Sequence, residues 1–302
     1  MYREFYGLTE KPFNLAPDPK YIYLSHKHKL ALSMLEYGLF ENAGGITVIT
    51  GEVGAGKTTL IKRLLHSIDY KKTTIGMINN THRNFGDLMQ WVALAFNLAH
   101  ENKDKVTLYR EIQRFLIDEY GQGRTPVLVV DEAQNIGAET LEELRLLTNI
   151  NSENDQLLQI ILVGQPELME LLLQPQLSQI TQRIGAEYHL EALDLSDTVK
   201  YIRHRLQVAG CKELVFDKTA FLAIHVFSRG IPRLINTLCE YALLTGYALD
   251  KKTINHSIIL DIIKARKISF SDWRKNISDR DLSLLQKLNA LTGSDVLAGI
   301  KA

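Results

Sequence analysis

Short apolar runs alternate with helical spacing through the first two-thirds of the chain, and helical spacing alone dominates the last third. Residues 46–50 form a compact β-branched run, 73–78, 127–131 and 159–163 repeat it, and 187–190 is a weaker fifth. Runs this short predict strands. Apolar residues at helical spacing separate them at about 58–67, 85–98, 108–120 and 138–149. Strands alternating with helices predict an α/β fold with a parallel sheet. After Leu195 the pattern predicts helices only, at 196–209, 218–228, 232–247 and about 255–266, with Asp217 as the N-cap of the second. Residues 267–302 are polar apart from a helical pattern at 279–291.

Ahead of the first strand an amphipathic helix is expected at about 27–41, ended by Gly44-Gly45. Residues 1–25 are rich in aromatics and prolines, and the spacing of Pro12, Pro17 and Pro19 rules out a continuous helix there. That segment is expected to wrap against the sheet domain. The organisation so read is an arm and first helix at 1–45 belonging to the sheet domain, an α/β core at 46–194, a small helical domain at 195–266 and a tail at 267–302.

Composition adds limits. At 302 residues the chain is long enough for one large and one small domain. With 45% hydrophobic and 23% charged residues it has the makings of a packed core rather than a disordered segment. The 35 basic and 35 acidic residues cancel, which argues against a globally basic nucleic-acid coat. Cys211 and Cys239 form no CxxC pair, so neither a disulfide framework nor a zinc site is expected and a reducing cytoplasm fits. The first residues show no apolar signal region, and no apolar run approaches the roughly 18–20 residues that span a bilayer. Any work at a membrane is expected to go through a partner.

The chemistry concentrates at the ends of predicted strands. Gly51-Glu52-Val53-Gly54-Ala55-Gly56-Lys57-Thr58 matches G-x-x-x-x-G-K-[ST] between a predicted strand and a predicted helix. Glycines let such a loop curl until main-chain N–H groups point at phosphate oxygens, and the following helix adds its positive end. Lys57 is expected to reach the β- and γ-phosphates of ATP and the Thr58 hydroxyl to ligate Mg²⁺, with Thr59 completing the binding loop. The plainer alternative is a glycine-rich turn with a chance lysine. Val127-Leu128-Val129-Val130-Asp131-Glu132 reads as a buried strand whose tip presents two acids. Asp131 is expected to hold Mg²⁺ and Glu132 to orient and polarise the attacking water. Acids at a helix start are also favoured by the helix dipole, which is the competing explanation.

The extra strand at 73–78 between these motifs predicts the P-loop branch with sheet order 5-1-4-3-2. In that branch a polar residue at the end of the fourth strand senses the γ-phosphate, and Gln165 stands there. Gly230-Ile231-Pro232-Arg233 opens a predicted helix with proline in its first turn. Arg233 is the candidate to sense the γ-phosphate from the helical domain. Arg183, just before the fifth strand, is the first candidate for an arginine finger acting on a neighbouring subunit, and Arg145 is its competitor. Asn79 or Asn80 is a candidate to hold Glu132 inactive until assembly. Residues 17–23 are candidates to run past the adenine.

Together these residues resemble the AAA+ class of P-loop ATPases with a small helical lid, and within it the ExeA/GspA type of secretion ATPase. The resemblance rests on residues 5–13, Pro17-Asp18-Pro19, Tyr23-Leu24-Ser25, residues 51–59, Asp131-Glu132-Ala133-Gln134, residues 141–149, 159–168 and 230–236, and covers roughly 1–265. It implies ATP hydrolysis with Mg²⁺, self-association into an ATP-dependent oligomer such as a hexamer, and a membrane-bound partner in an envelope machine. Type II secretion, MSHA-type pilus biogenesis and exosortase-linked export are the systems such proteins serve. ExeA itself continues into a transmembrane segment and a peptidoglycan-binding domain. This chain ends at Ala302, so a short soluble form, cytoplasmic or peripheral at the inner membrane, is expected. The transposition ATPases TniB and TnsC are more distant relatives. They supply the alternative of a DNA-bound regulator touching phosphates through Lys62-Arg63, Lys71-Lys72 or Lys251-Lys252.

Overall fold

The computed structural model describes residues 2–16, 18–41, 44–79, 87–151, 156–265, 277–293 and 295–296. The chain divides into two compact units: Met1–Ser25 with Gly54–Gly56 and Ala192–Ala302, and His26–Val53 with Lys57–Glu191. It opens on a one-turn helix, α1 (Tyr2–Phe5), in the first of these.

The second unit holds the sheet. Strands β1 (Ile46–Gly51), β2 (Thr73–Ile78), β3 (Thr125–Val130), β4 (Gln159–Gly164) and β5 (Ile184–Leu190) are all parallel, in the order β2-β3-β4-β1-β5. This is the 5-1-4-3-2 order read from the other edge, as expected. Every residue of β1 and β4 is buried, and all of β3 but its first. Continuous apolar strands of this kind belong to a sheet covered on both faces. The cover comes from α2 (His26–Phe40), α3 (Lys57–Ser67), α4 (Leu88–Ala95), α5 (Lys105–Gly121), α6 (Gly137–Thr148), α7 (Glu167–Leu172) and α8 (Ser178–Thr181). Parallel pairing puts the C-terminal ends of β1, β3 and β4 side by side, with Val130 level with Leu162 and Thr50 level with Gly164. Ligands of open α/β sheets bind at this edge.

Some helices differ from the sequence expectation for local reasons. The helix expected at 85–98 runs only over Leu88–Ala95, because Asp87 caps its start and Asn97 turns into the left-handed region at φ 56° just past its end. Residues 85 and 86 lie outside the described residues. The short helices α7 and α8 have too few residues to show a period in sequence.

The other unit is helical: α9 (Leu195–Val208), α10 (Lys218–Ser228), α11 (Pro232–Ala248), α12 (His256–Ala265) and α13 (Asp279–Thr292). Asp217 caps α10 as expected, accepting from the Ala220 N–H at 2.8 Å. A reciprocal Ser278–Asp281 cap starts α13 and Gly293 ends it, which fixes both ends of the helix expected at 279–291.

The arm is where the structure departs from the sequence reading, which had attached it to the sheet domain. Residues 1–25 group with the helical unit. Phe13 is buried edge-on to Phe216, the Tyr2 hydroxyl donates to Glu240, and the Tyr6 hydroxyl donates to the Lys251 carbonyl at 2.8 Å. Arg205 of α9 is 7% exposed and donates to the Pro12 carbonyl at 2.6 Å, to the Asn14 carbonyl at 3.2 Å and to the Tyr201 hydroxyl at 3.0 Å. A guanidinium with its charge buried must have acceptors, and the arm's carbonyls supply them. Among the described residues, no helix is long and apolar enough to cross a membrane.

Candidate functional site

β1 runs straight into the glycine loop. Gly54 and Gly56 have φ of 81° and 109°, conformations that side chains rarely adopt, so the main chain can curl there. Lys57 is the first residue of α3 and is 6% exposed. Its ammonium donates back to the Gly51 carbonyl at 2.6 Å and the Glu52 carbonyl at 3.1 Å. Burial holds its pKa below the ordinary lysine value, outweighing the opposing pull of Glu132, Asp131, Glu52 and Glu167. An ammonium taken out of water and held by carbonyls still needs anionic charge, and a phosphate chain is the kind of ligand that supplies it.

Thr58 and Asp131 bring the first and third strands together: the Thr58 hydroxyl donates to Asp131 Oδ2 at 3.1 Å. A hydroxyl and a carboxylate this close are hard oxygen donors that suit a divalent cation sharing its shell with phosphate. Thr59 follows on α3, while Glu52 and Val53 are exposed on the loop and Ala55 is buried.

Glu132 stands two residues past the end of β3 in the left-handed region, at φ 53° and ψ 41°. A non-glycine residue pays about 1–2 kcal/mol to sit there. Its Oε2 accepts the Gln134 Nε2–H at 2.7 Å and the Gln165 Nε2–H at 3.1 Å. Gln165 follows β4, and its main-chain N–H donates to Gln134 Oε1 at 3.1 Å. Lys57, Thr58, Asp131, Glu132 and Gln165 therefore meet at the C-terminal edge of β1, β3 and β4, as the sequence motifs require.

The outlying candidates are placed differently. The Arg183 guanidinium donates to the Thr148 carbonyl at 3.0 Å and to the Asn149 side chain, at the C-terminal end of α6 in its own chain. Arg145 pairs with Glu142 one turn back on α6. Arg233 is exposed in the first turn of α11, and its main-chain N–H donates to the Gly54 carbonyl at 3.3 Å. Asn79 is exposed at the end of β2, and Asn80 and Pro17 lie outside the described residues. Tyr21 and Tyr23 are engaged in packing: the Arg205 guanidinium lies 4.8 Å over the Tyr21 ring, and the Tyr23 hydroxyl donates to Asp197 at 3.1 Å. Sequence reasoning gave Gln134 no role of its own. The available signal was its place two residues after Glu132, which puts an amide within reach of that carboxylate.

Sheet order, loop and strand-tip acids define a P-loop NTPase of the AAA+ fold. Residues 41–172 match the AAA domain family. The chain is a GspA-like AAA+ protein, 42% identical over 260 residues, or 86% of its length, to General secretion pathway protein A of Aeromonas hydrophila. It spans about half, 47%, of that relative's length. Solved structures share the fold at low identity. The Aeropyrum pernix ORC2 protein, in ADPNP–ADP complexes, superimposes with a TM-score of 0.61 at 15% identity, over 95% of this chain and 84% of that one. Cdc6p from Pyrobaculum aerophilum gives 0.60 at 14%, over 92% and 89%. Drosophila ORC bound to DNA gives 0.58 at 14%, over 97% and 78%.

Proposed function

We propose that the chain binds Mg-ATP on the 51–59 loop, hydrolyses it to ADP and phosphate, and uses the cycle to change its shape or assembly as an accessory ATPase of a bacterial envelope system. The buried Lys57 ammonium, held through carbonyls of its own loop, carries the nucleotide reading. Likeness over 86% of the chain to General secretion pathway protein A supports the envelope setting, with a membrane-bound protein of that machine as partner.

In this reading main-chain N–H groups from Gly51 through Thr59 and the Lys57 ammonium bind the phosphate oxygens. The Thr58 hydroxyl and Asp131 carboxylate would hold Mg²⁺, which would supply positive charge to those oxygens. Glu132 orients the attacking water and takes a proton from it as the water oxygen bonds to the γ-phosphorus. The bond from that phosphorus to the bridging oxygen breaks, and ADP leaves with the electron pair. Gln165 fixes the water and γ-phosphate side of the site, and Arg233 is a second γ-phosphate sensor. Arg183 acts on a neighbouring copy in an ATP-dependent oligomer.

Glu132→Gln tests the chemistry. It is expected to bind ATP with wild-type affinity and to hydrolyse it roughly a hundredfold or more slowly, the usual worth of general-base catalysis. Turnover at the wild-type rate would remove Glu132 from the mechanism.

A further inference from the structure

We propose that Gln134 is the positioning residue of the strand-tip acid: its amide ties Glu132 to the end of β4 and sets the orientation in which that carboxylate meets the attacking water. The inference rests on the reading of Glu132 as the group that orients this water.

The first argument is the use of both ends of one amide. Gln134 Nε2 donates to Glu132 Oε2 at 2.7 Å while Gln134 Oε1 accepts the Gln165 main-chain N–H at 3.1 Å. An amide side chain can donate to a carboxylate with one atom and accept from an N–H with the other, and it does so uncharged at any pH. Gln165 closes the ring, its own Nε2 donating to the same Glu132 Oε2 at 3.1 Å. Two amide side chains, reached from the tips of two adjacent strands, thus hold one carboxylate oxygen at a fixed point.

The second argument comes from β4. Gly164 is not among the glycines with positive φ, so its backbone does not demand glycine. Space does. A Cβ there would stand 2.9 Å from Gln134 Oε1, and as close to Leu168. The missing side chain is what lets the Gln134 amide lie against the strand and reach Gln165.

The third is local constraint. Glu132 has left the strand in a left-handed conformation, outside any helical repeat that would fix its side chain. Ala133–Asn135 then forms a single tight turn with Ala133 fully buried, which anchors the Gln134 backbone. Gln134 therefore gives the Glu132 carboxylate a side-chain anchor beyond its own backbone. Catalytic groups gain rate when an outer partner holds them in the reactive geometry.

The experiment measures steady-state ATP hydrolysis, equilibrium ATP affinity and melting temperature for Gln134→Met, which keeps length and loses both hydrogen bonds, and for Gln134→Ala. Losing a hydrogen bond to a charged group is expected to lower kcat about 10- to 100-fold. KM and the ATP dissociation constant should stay within about twofold of wild type, the signature of an interaction that matters in the transition state. Gly164→Ala should show the same split. In a Glu132→Gln background the Gln134 changes should add nothing, since the group they position is gone. Unchanged or increased kcat in both Gln134 variants, with Glu132→Gln inactive, overturns the positioning role and leaves the acid's role standing. A loss of kcat matched by weakened ATP affinity and a lower melting temperature overturns it in favour of a purely structural bond. Wild-type turnover in Glu132→Gln sinks both readings together.

Discussion

Replacing Lys57 by methionine separates what this residue does for the fold from what it does for the ligand. In the folded chain the residue is 6% exposed, and burial pulls its pKa down. Methionine fills similar space without the charge, so that desolvation cost disappears. Against this, the Gly51 and Glu52 carbonyls each lose a donor. A buried acceptor left unpaired costs about 1–3 kcal/mol, and relief of the ammonium's desolvation acts in the opposite direction. The two effects oppose each other, so the variant is expected to stay folded. Ligand affinity has no such compensation. A unit charge about 4 Å from a phosphate oxygen is worth about 4 kcal/mol at the effective dielectric of a protein surface, roughly a thousandfold in the dissociation constant. The assay is a fluorescent-ATP titration with excess magnesium beside a thermal melt of the same material. A melt near wild type with ATP affinity lowered about a thousandfold is the expected pair. Affinity within about threefold of wild type in a folded variant refutes the phosphate-binding assignment.

Arg205→Met strips the donors from the Pro12 and Asn14 carbonyls and should destabilise the helical unit by about 2–4 kcal/mol, read by chemical denaturation, with loosening of the arm visible in hydrogen exchange. Unchanged denaturation would mean the arm's other contacts hold it without Arg205. His225 is buried against the Thr198 hydroxyl, with Arg280, Asp194 and Asp281 as its charged neighbours, and burial brings its pKa down from 6.5 to about 4. The imidazole is neutral in folded and unfolded chains above about pH 6.5; below that the unfolded chain takes up a proton the folded one refuses. Its contribution, about 3 kcal/mol from a shift of that size, is thus present above pH 6.5 and lost as pH falls to 4. His225→Gln should flatten that part of the stability–pH curve, and an unaltered curve would place the acid sensitivity elsewhere. Arg183→Ala should lose about 1 kcal/mol from the end of α6 whatever its catalytic role, because a cation there favours the helix dipole and bonds its carbonyl. If it also acts in trans, mixing it with Glu132→Gln subunits should restore part of the ATPase rate; absent rescue, an in-chain cap is its whole role.

The range of each interaction decides whether the sequence shows it. β1, β3 and β4 announced themselves because a strand buried on both faces is apolar at most positions, whatever it pairs with. The loop and the two acids were legible because their chemistry sits at consecutive residues beside such strands. The arm misled because its prolines and aromatics show that it packs but not onto what: the acceptors that draw in Arg205 are main-chain carbonyls of Pro12 and Asn14, with no side-chain signature. Arg183 was conspicuous by position, yet its in-chain partners on α6 are 34 and 35 residues away.

Gln134 shows the same limit at the centre of the site. Its partners are Glu132, two residues off, and Gln165, 31 residues off just past another strand, and its room is made by a residue with no side chain at all. A one-residue change in the β3–β4 register would carry Gln165 about 3.3 Å along the strand direction relative to Glu132 and break the ring, so this contact exists only once Val130 is level with Leu162. The sheet thus does more than carry the acids to one edge. Its register decides which amide each acid meets, and the hydrophobic pattern that sets the register is in that sense part of the site.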